Sequence, residues 1–163
     1  MWNSQTYGKL ELDQIPEKIK EYYDSHKAFQ TPISIVIGTD SQNFSYTKEV
    51  SVIAVITEGH GGIFFYEIKN RDRITDVRRK LHIETQDSLT IADALLEKLE
   101  QPEYEEVFMN TSFTIHIDAG SSDNGKTKTL IPELLGWVTS LGYDCKIKPD
   151  SYAASSIADK ISK

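Results

Sequence analysis

Ile33-Ser34-Ile35-Val36-Ile37-Gly38-Thr39-Asp40 follows Pro32 and finishes on a carboxylate. Rich in β-branched residues and opened by a proline, it reads as a buried strand. Downstream, Ser41 to Lys48 reads as a loop and Val50 to Thr57 as a second strand. Glu58-Gly59-His60-Gly61-Gly62 reads as a tight turn and Ile63 to Lys69 as a third strand. Connections this short make an antiparallel meander.

Beyond the meander the period changes. Val77, Leu81, Glu84, Ser88, Ala92, Leu95 and Leu99 recur in steps of three and four, which predicts a helix from Thr75 to about Glu100. Ser112-Phe113-Thr114-Ile115-His116-Ile117-Asp118 is a fourth strand. A Gly/Ser/Asn loop leads to a helix from about Lys128 to Leu141, stopped by Gly142. Cys145 to Lys148 is a short fifth strand, and Ser151 to Ile161 a last helix. Upstream, Ile15, Ile19, Tyr22 and Tyr23 predict one amphipathic helix over roughly Asp13 to Lys27.

The expected architecture is α/β. A mixed five-stranded sheet, made of a three-strand antiparallel meander plus two parallel strands, carries helices on both faces and an extra N-terminal helix. The expected division is a helical extension over 1–30 and one domain over 31–163.

The candidate site is built from carboxylates. The first and fourth strands each end in aspartate, Asp40 and Asp118. If the two strands are parallel neighbours, both acids stand at the carboxyl edge of the sheet, where open α/β sheets bind ligands. Two carboxylates that close repel unless one is protonated or a cation lies between them. Each acid alone also fits a turn cap. Glu84 lies mid-stripe on the face predicted to meet the sheet, between Leu81 and Ser88. A buried carboxylate there requires compensation; the alternative is a helix that begins after Glu84, capped by Asp87 or Ser88. Asp159 flanks the stripe Ala154, Ile157, Ala158, Ile161 of the last helix, and Asp150 stands where that helix would be capped.

Thr39-Asp40-Ser41, Glu84, Asp118 and Ala158-Asp159-Lys160 resemble, in chain order, the four acidic positions of ribonuclease-H-like enzymes. More narrowly, the chain from Gly38 onward resembles the YkuK family of bacterial proteins. Ile37-Gly38-Thr39-Asp40-Ser41, Gly136-Trp137-Val138-Thr139 and Lys148-Pro149-Asp150-Ser151-Tyr152-Ala153-Ala154-Ser155-Ser156 carry the likeness. The resemblance implies a ribonuclease-H-like fold and two-metal phosphodiester hydrolysis with Mg²⁺ or Mn²⁺. Asp40 would face both ions, Asp118 and Asp159 would hold one, and Glu84 the other. It implies RNA or DNA as substrate.

Other signals compete. Gly120-Ser121-Ser122-Asp123-Asn124-Gly125-Lys126-Thr127 fits the phosphate-binding P-loop pattern between a strand and a helix. Only 36 residues follow Thr127, and they lack the further buried strand ending in Asp that such nucleotidases use. Otherwise Lys126 and Lys128 are available to a substrate phosphate. His116 shares a strand face with Asp118 and reads as an auxiliary ligand, a proton shuttle or a core histidine. The aromatics show no stacking pattern in the sequence.

Net charge is −7 over 163 residues, which weighs against a surface that grips nucleic acid throughout. The charge is uneven. Lys69, Arg71, Arg73, Arg78, Arg79 and Lys80 form a basic strip broken by Asp72 and Asp76, whereas Glu84 to Glu106 is acidic apart from Lys98. With one cysteine, Cys145, no internal disulfide forms. No secretory signal or membrane span is evident, so a reduced, cytoplasmic setting is expected. The leading expectation is therefore a metal-dependent nuclease or phosphodiesterase. A catalytically inactive binding or adaptor module and a P-loop nucleotide-binding protein are the alternatives.

Overall fold

The computed structural model describes residues 1–120 and 125–148. Strands β1 (Trp2–Ser4) and β2 (Gly8–Leu10) precede helix α1 (Ile15–His26). Then come β3 (Ile33–Asn43), β4 (Thr47–Thr57), β5 (Gly62–Arg71), α2 (Val77–Leu99), α3 (Glu105–Asn110), β6 (Thr111–Gly120), α4 (Gly125–Ser140) and β7 (Asp144–Lys148). They build one mixed sheet in the order β2-β1-β5-β4-β3-β6-β7. The meander β3-β4-β5 is antiparallel, and β6 and β7 add in parallel beside β3.

The sheet thus has seven strands, not five. The two additional strands are three residues each, too short to show a period of two. Their hairpin is held by Ser4, whose Oγ accepts from the amides of Thr6 and Tyr7 at 3.2 Å each. Trp2 and Leu10 are buried in the main core. A second correction concerns β3, which does not end at Asp40. It runs on to Asn43 and turns directly into β4, because Ser41, Gln42 and Asn43 pair with Glu49, Lys48 and Thr47.

Alternation divides the sheet into two faces. Ile33, Ile35, Ile37, Ile53, Val55, Phe65, Ile115 and Ile117 join buried residues of all four helices in one core. Burying each such side chain contributes roughly 1.5–3 kcal/mol. Val36, Val50, Val52 and Ala54 form a separate buried cluster on the other face. The last predicted helix, Ser151 to Ile161, lies outside the described residues.

Helix α1 is pinned to the β4–β5 turn by Tyr22. Its hydroxyl donates to the Gly61 carbonyl at 2.9 Å and lies 2.8 Å from Thr57 Oγ1. Gly61 takes φ +77°, a left-handed conformation that costs glycine little. Tyr22→Phe keeps the ring and removes both bonds. We expect it to cost about 1–2 kcal/mol in urea denaturation, with the slope unchanged.

Candidate metal centre

Strand β3 places consecutive side chains on opposite faces, and this sorts the site. Thr39 and Ser41 turn toward α2. The Thr39 hydroxyl lies 2.8 Å from Ser88 Oγ and 3.0 Å from Ser51 Oγ. Ser41 Oγ donates to Glu84 Oε2 at 2.5 Å. Two residues of strand advance about 6.6 Å and four residues of helix about 6 Å, so the pairs 39–88 and 41–84 form two matched rungs. These rungs explain why α2 carries Glu84 and Ser88 on its inner stripe. Glu84 is 5% exposed and lies well inside the helix, so the alternative of a helix starting after it is excluded.

Asp40 faces the other way. β3 and β6 are parallel neighbours with Gly38 opposite His116, and two residues further along each strand come Asp40 and Asp118. The two acids are joined by a side-chain hydrogen bond, which requires that one keeps a proton. Burial is the first cause that pushes Asp40 up to about 7. The hydrogen bond to Asp118 and its charge add to the rise, while the Ser41 amide, 2.8 Å from Asp40 Oδ1, and the charge of Lys80 oppose it. Burial also holds Glu84 well above the usual carboxylate range. The charges of Asp40 and Asp118 reinforce this, and the Ser41 hydroxyl and Lys80 work against it. Three acids from β3, α2 and β6 therefore sense one another across the opening where β3 and β6 part.

The donor chemistry fits a divalent cation that prefers oxygen: carboxyls that keep protons near neutral pH lose them to solvent when a doubly charged ion binds in their place. Asp40 and Asp118 are the pair that would hold it. Among the described residues no group of three or more His, Cys, Asp or Glu side chains is drawn together at ligand spacing. Glu84 is held on Ser41 instead, on the helix side of the sheet.

The remaining expected site residues divide. His116 is buried on β6, two residues before Asp118, and with Lys146 lines a cavity of about 490 Å³. Lys128 is exposed on α4, and Lys126 falls in that helix's first turn. Asp150 and Asp159 lie outside the described residues. Sequence reasoning missed Ser41, which sits on the same strand face as Thr39. It also missed Lys80, whose signal was its spacing of four from Glu84 on one helix.

A second acidic group stands beside Ser41 on the same face. Glu49, paired with Ser41 across β3 and β4, is 1% exposed. Arg71 Nε donates to its Oε2 at 2.9 Å, and Arg71 Nη2 donates to Asp87 Oδ2 at 2.8 Å. Glu49 Oε1 is buried without a hydrogen-bond partner. Burial first, then the neighbouring Asp87 carboxylate, push the Glu49 carboxyl up to about 8, against the pull of Arg71.

Residues 14–163 match the family model described as Ribonuclease H-like. The chain belongs to the ribonuclease H-like family. This ribonuclease H-like chain is also 31% identical over 165 residues to the uncharacterized protein YkuK of Bacillus subtilis (strain 168). The match spans 96% of this chain and 93% of that protein. Among solved structures, the catalytic domain of Mos1 mariner transposase is 12% identical, over 95% of this chain and 74% of its own, with a TM-score of 0.34. A structure of the Mos1 transposase catalytic domain and Raltegravir with Mg is 14% identical, over 84% of this chain and 62% of its own, with a TM-score of 0.30. At those scores neither transposase structure assigns a role to any residue of this ribonuclease H-like protein. No described helix is long and apolar enough to cross a membrane.

Proposed function

We propose that this ribonuclease H-like protein is a nuclease or phosphodiesterase that depends on Mg²⁺ or Mn²⁺ and acts on RNA or DNA. The observation that carries the reading is the hydrogen-bonded Asp40–Asp118 pair on adjacent parallel strands, with the buried Glu84 raised by the charges of both. When bound there, the metal would supply Lewis acidity at phosphate oxygens. The chain supplies the rest. Asp40 and Asp118 would hold the cation, and their shared proton would pass to solvent as it binds. Ser41 orients Glu84. Lys80 contributes positive charge beside an otherwise anionic site, which lowers the repulsion a phosphodiester meets on approach. Asp159 is proposed as the fourth acid, from its place in the chain, and His116 as an auxiliary group.

The test is metal-dependent cleavage. Wild type and Asp40→Asn are assayed with Mg²⁺ and with Mn²⁺ on a panel of RNA, DNA and hybrid substrates, single-stranded and duplex. Cleavage by wild type that Asp40→Asn lowers at least a hundredfold supports the reading, and equal behaviour of the two ends it.

A further inference from the structure

The tip of the β3–β4 hairpin exposes two aromatic side chains next to each other. Phe44 is 46% and Tyr46 40% exposed, and their ring centroids lie 5.6 Å apart. The tip is held firmly. Phe44 N donates to the Tyr46 carbonyl at 2.7 Å. Thr47 Oγ1 donates to Asn43 Oδ1 at 2.6 Å and accepts from the amide of buried Ile74 at 2.9 Å, and Asn43 Nδ2 donates to the Ile74 carbonyl at 2.9 Å. These bonds tie the hairpin to the connection between β5 and α2, which carries Asp72 and Arg73 and runs into Arg79 and Lys80. Arg73 and Arg79 are exposed and make no ion pair among the described residues. Phe44 follows Asp40 by four residues and stands just past the end of β3, in the turn to β4. Two rigid rings, a flanking cationic connection and a nearby carboxylate pair thus share one edge of the molecule.

We propose that Phe44 and Tyr46 are a stacking platform for unpaired bases of a single-stranded nucleic acid, with Arg73 and Arg79 taking its phosphates. Bases stack on exposed aromatics regardless of sequence, and fixed cations alongside neutralise the backbone. The platform rests on the nuclease reading only for its purpose: it would hold the nucleotides adjoining the phosphodiester at Asp40 and Asp118. A duplex, with its bases already stacked, gains nothing from the rings.

The probe is fluorescein-labelled oligo-dT and oligo-U, with a blunt DNA duplex as comparison, read by anisotropy in EDTA at low salt. The proteins are wild type, the pair Phe44→Ala with Tyr46→Ala, the aromatic exchange Phe44→Tyr with Tyr46→Phe, and Arg73→Ala. The alanine pair is expected to weaken single-strand binding roughly tenfold or more and the aromatic exchange to restore it. Duplex binding should stay unchanged, and Arg73→Ala should lower the salt slope by about one. Both rings are exposed, so circular dichroism melting should match wild type. Absence of strand binding by wild type, equal binding by the alanine pair, or an equal loss on duplex overturns the platform. So does a dimer in sedimentation that the alanine pair dissolves without affecting strand binding, since the rings then serve a second copy. The cleavage assay of Asp40→Asn scores the nuclease separately. Ring-dependent strand binding without metal-dependent cleavage keeps the platform and removes the nuclease, and cleavage with ring-independent binding does the reverse.

Discussion

Asp40→Asn is expected to remove metal-dependent cleavage and, in EDTA at about pH 8, to leave the protein more stable than wild type. The folded chain holds a proton on the Asp40–Asp118 pair up to about pH 7, against an ordinary value of 3.8. Because the folded-state value is raised, the stabilisation is complete below the unfolded value and disappears as pH rises through about 7. Wild type therefore weakens across that window and carries its full like-charge repulsion above it. Asparagine donates to Asp118 as the protonated acid does and never ionises. Discounted for the partial exposure of Asp40, the gain is on the order of 2 kcal/mol, or about 5 °C in melting temperature for a chain of this size. Mn²⁺ should reverse the ranking. It binds the folded wild type and stabilises it by about 2.7 kcal/mol at a hundredfold excess over its dissociation constant, while the variant responds little. Melting curves of both proteins across pH, with and without Mn²⁺, provide the check. A wild type more stable than the variant in EDTA and unmoved by Mn²⁺ would show that these acids do not form a cation site.

Arg71→Ala is the second large effect, and it acts on stability alone. Arg71 is the cation that bridges Glu49 and Asp87. Without it Glu49, with Oε1 already unpartnered, has neither solvent nor counter-ion. Removing one partner of a buried pair is costly because the other charge stays behind. Here the cost depends on pH. At about pH 5 Glu49 already holds its proton and loses only one acceptor contact, so the loss is about 1 kcal/mol. At about pH 8 and above, where wild type ionises Glu49 against Arg71, the variant must take up a proton there or bear an unpaired buried charge, and we expect about 2–3 kcal/mol. Combining Arg71→Ala with Glu49→Gln should recover most of the deficit at the higher pH, as read by urea denaturation at both values. An equal loss at both pH values would instead mean that the Arg71 stem acts by packing.

The elements with strong periodicity were legible before any coordinates. The stripe Val77, Leu81, Glu84, Ser88, Ala92, Leu95, Leu99 predicted α2 to within two residues, because apolar spacing and helical geometry are the same information. The strand Ile33 to Asp40 was legible through its β-branched run, but its end was misplaced. Ser41, Gln42 and Asn43 are poor strand formers, and pairing with β4 overrides their preference. β1 and β2 were hidden by brevity. The platform residues were invisible for another reason: nothing in Asn43-Phe44-Ser45-Tyr46 says that Thr47 and Ile74 lock the hairpin and leave both rings outside.

The sequence by itself determined which acids could matter, since a buried stripe that includes Glu84 and two strands that carry Asp40 and Asp118 are matters of period and residue type. Only the tertiary structure decided that β6 lies parallel to β3 in the register that sets Asp118 beside Asp40, that Ser41 holds Glu84, and that Arg71 neutralises Glu49. The reason is physical. Periodicity is a local property of the chain, whereas proton affinity depends on which charges and solvent lie within a few ångströms, and those neighbours are brought from distant segments by packing.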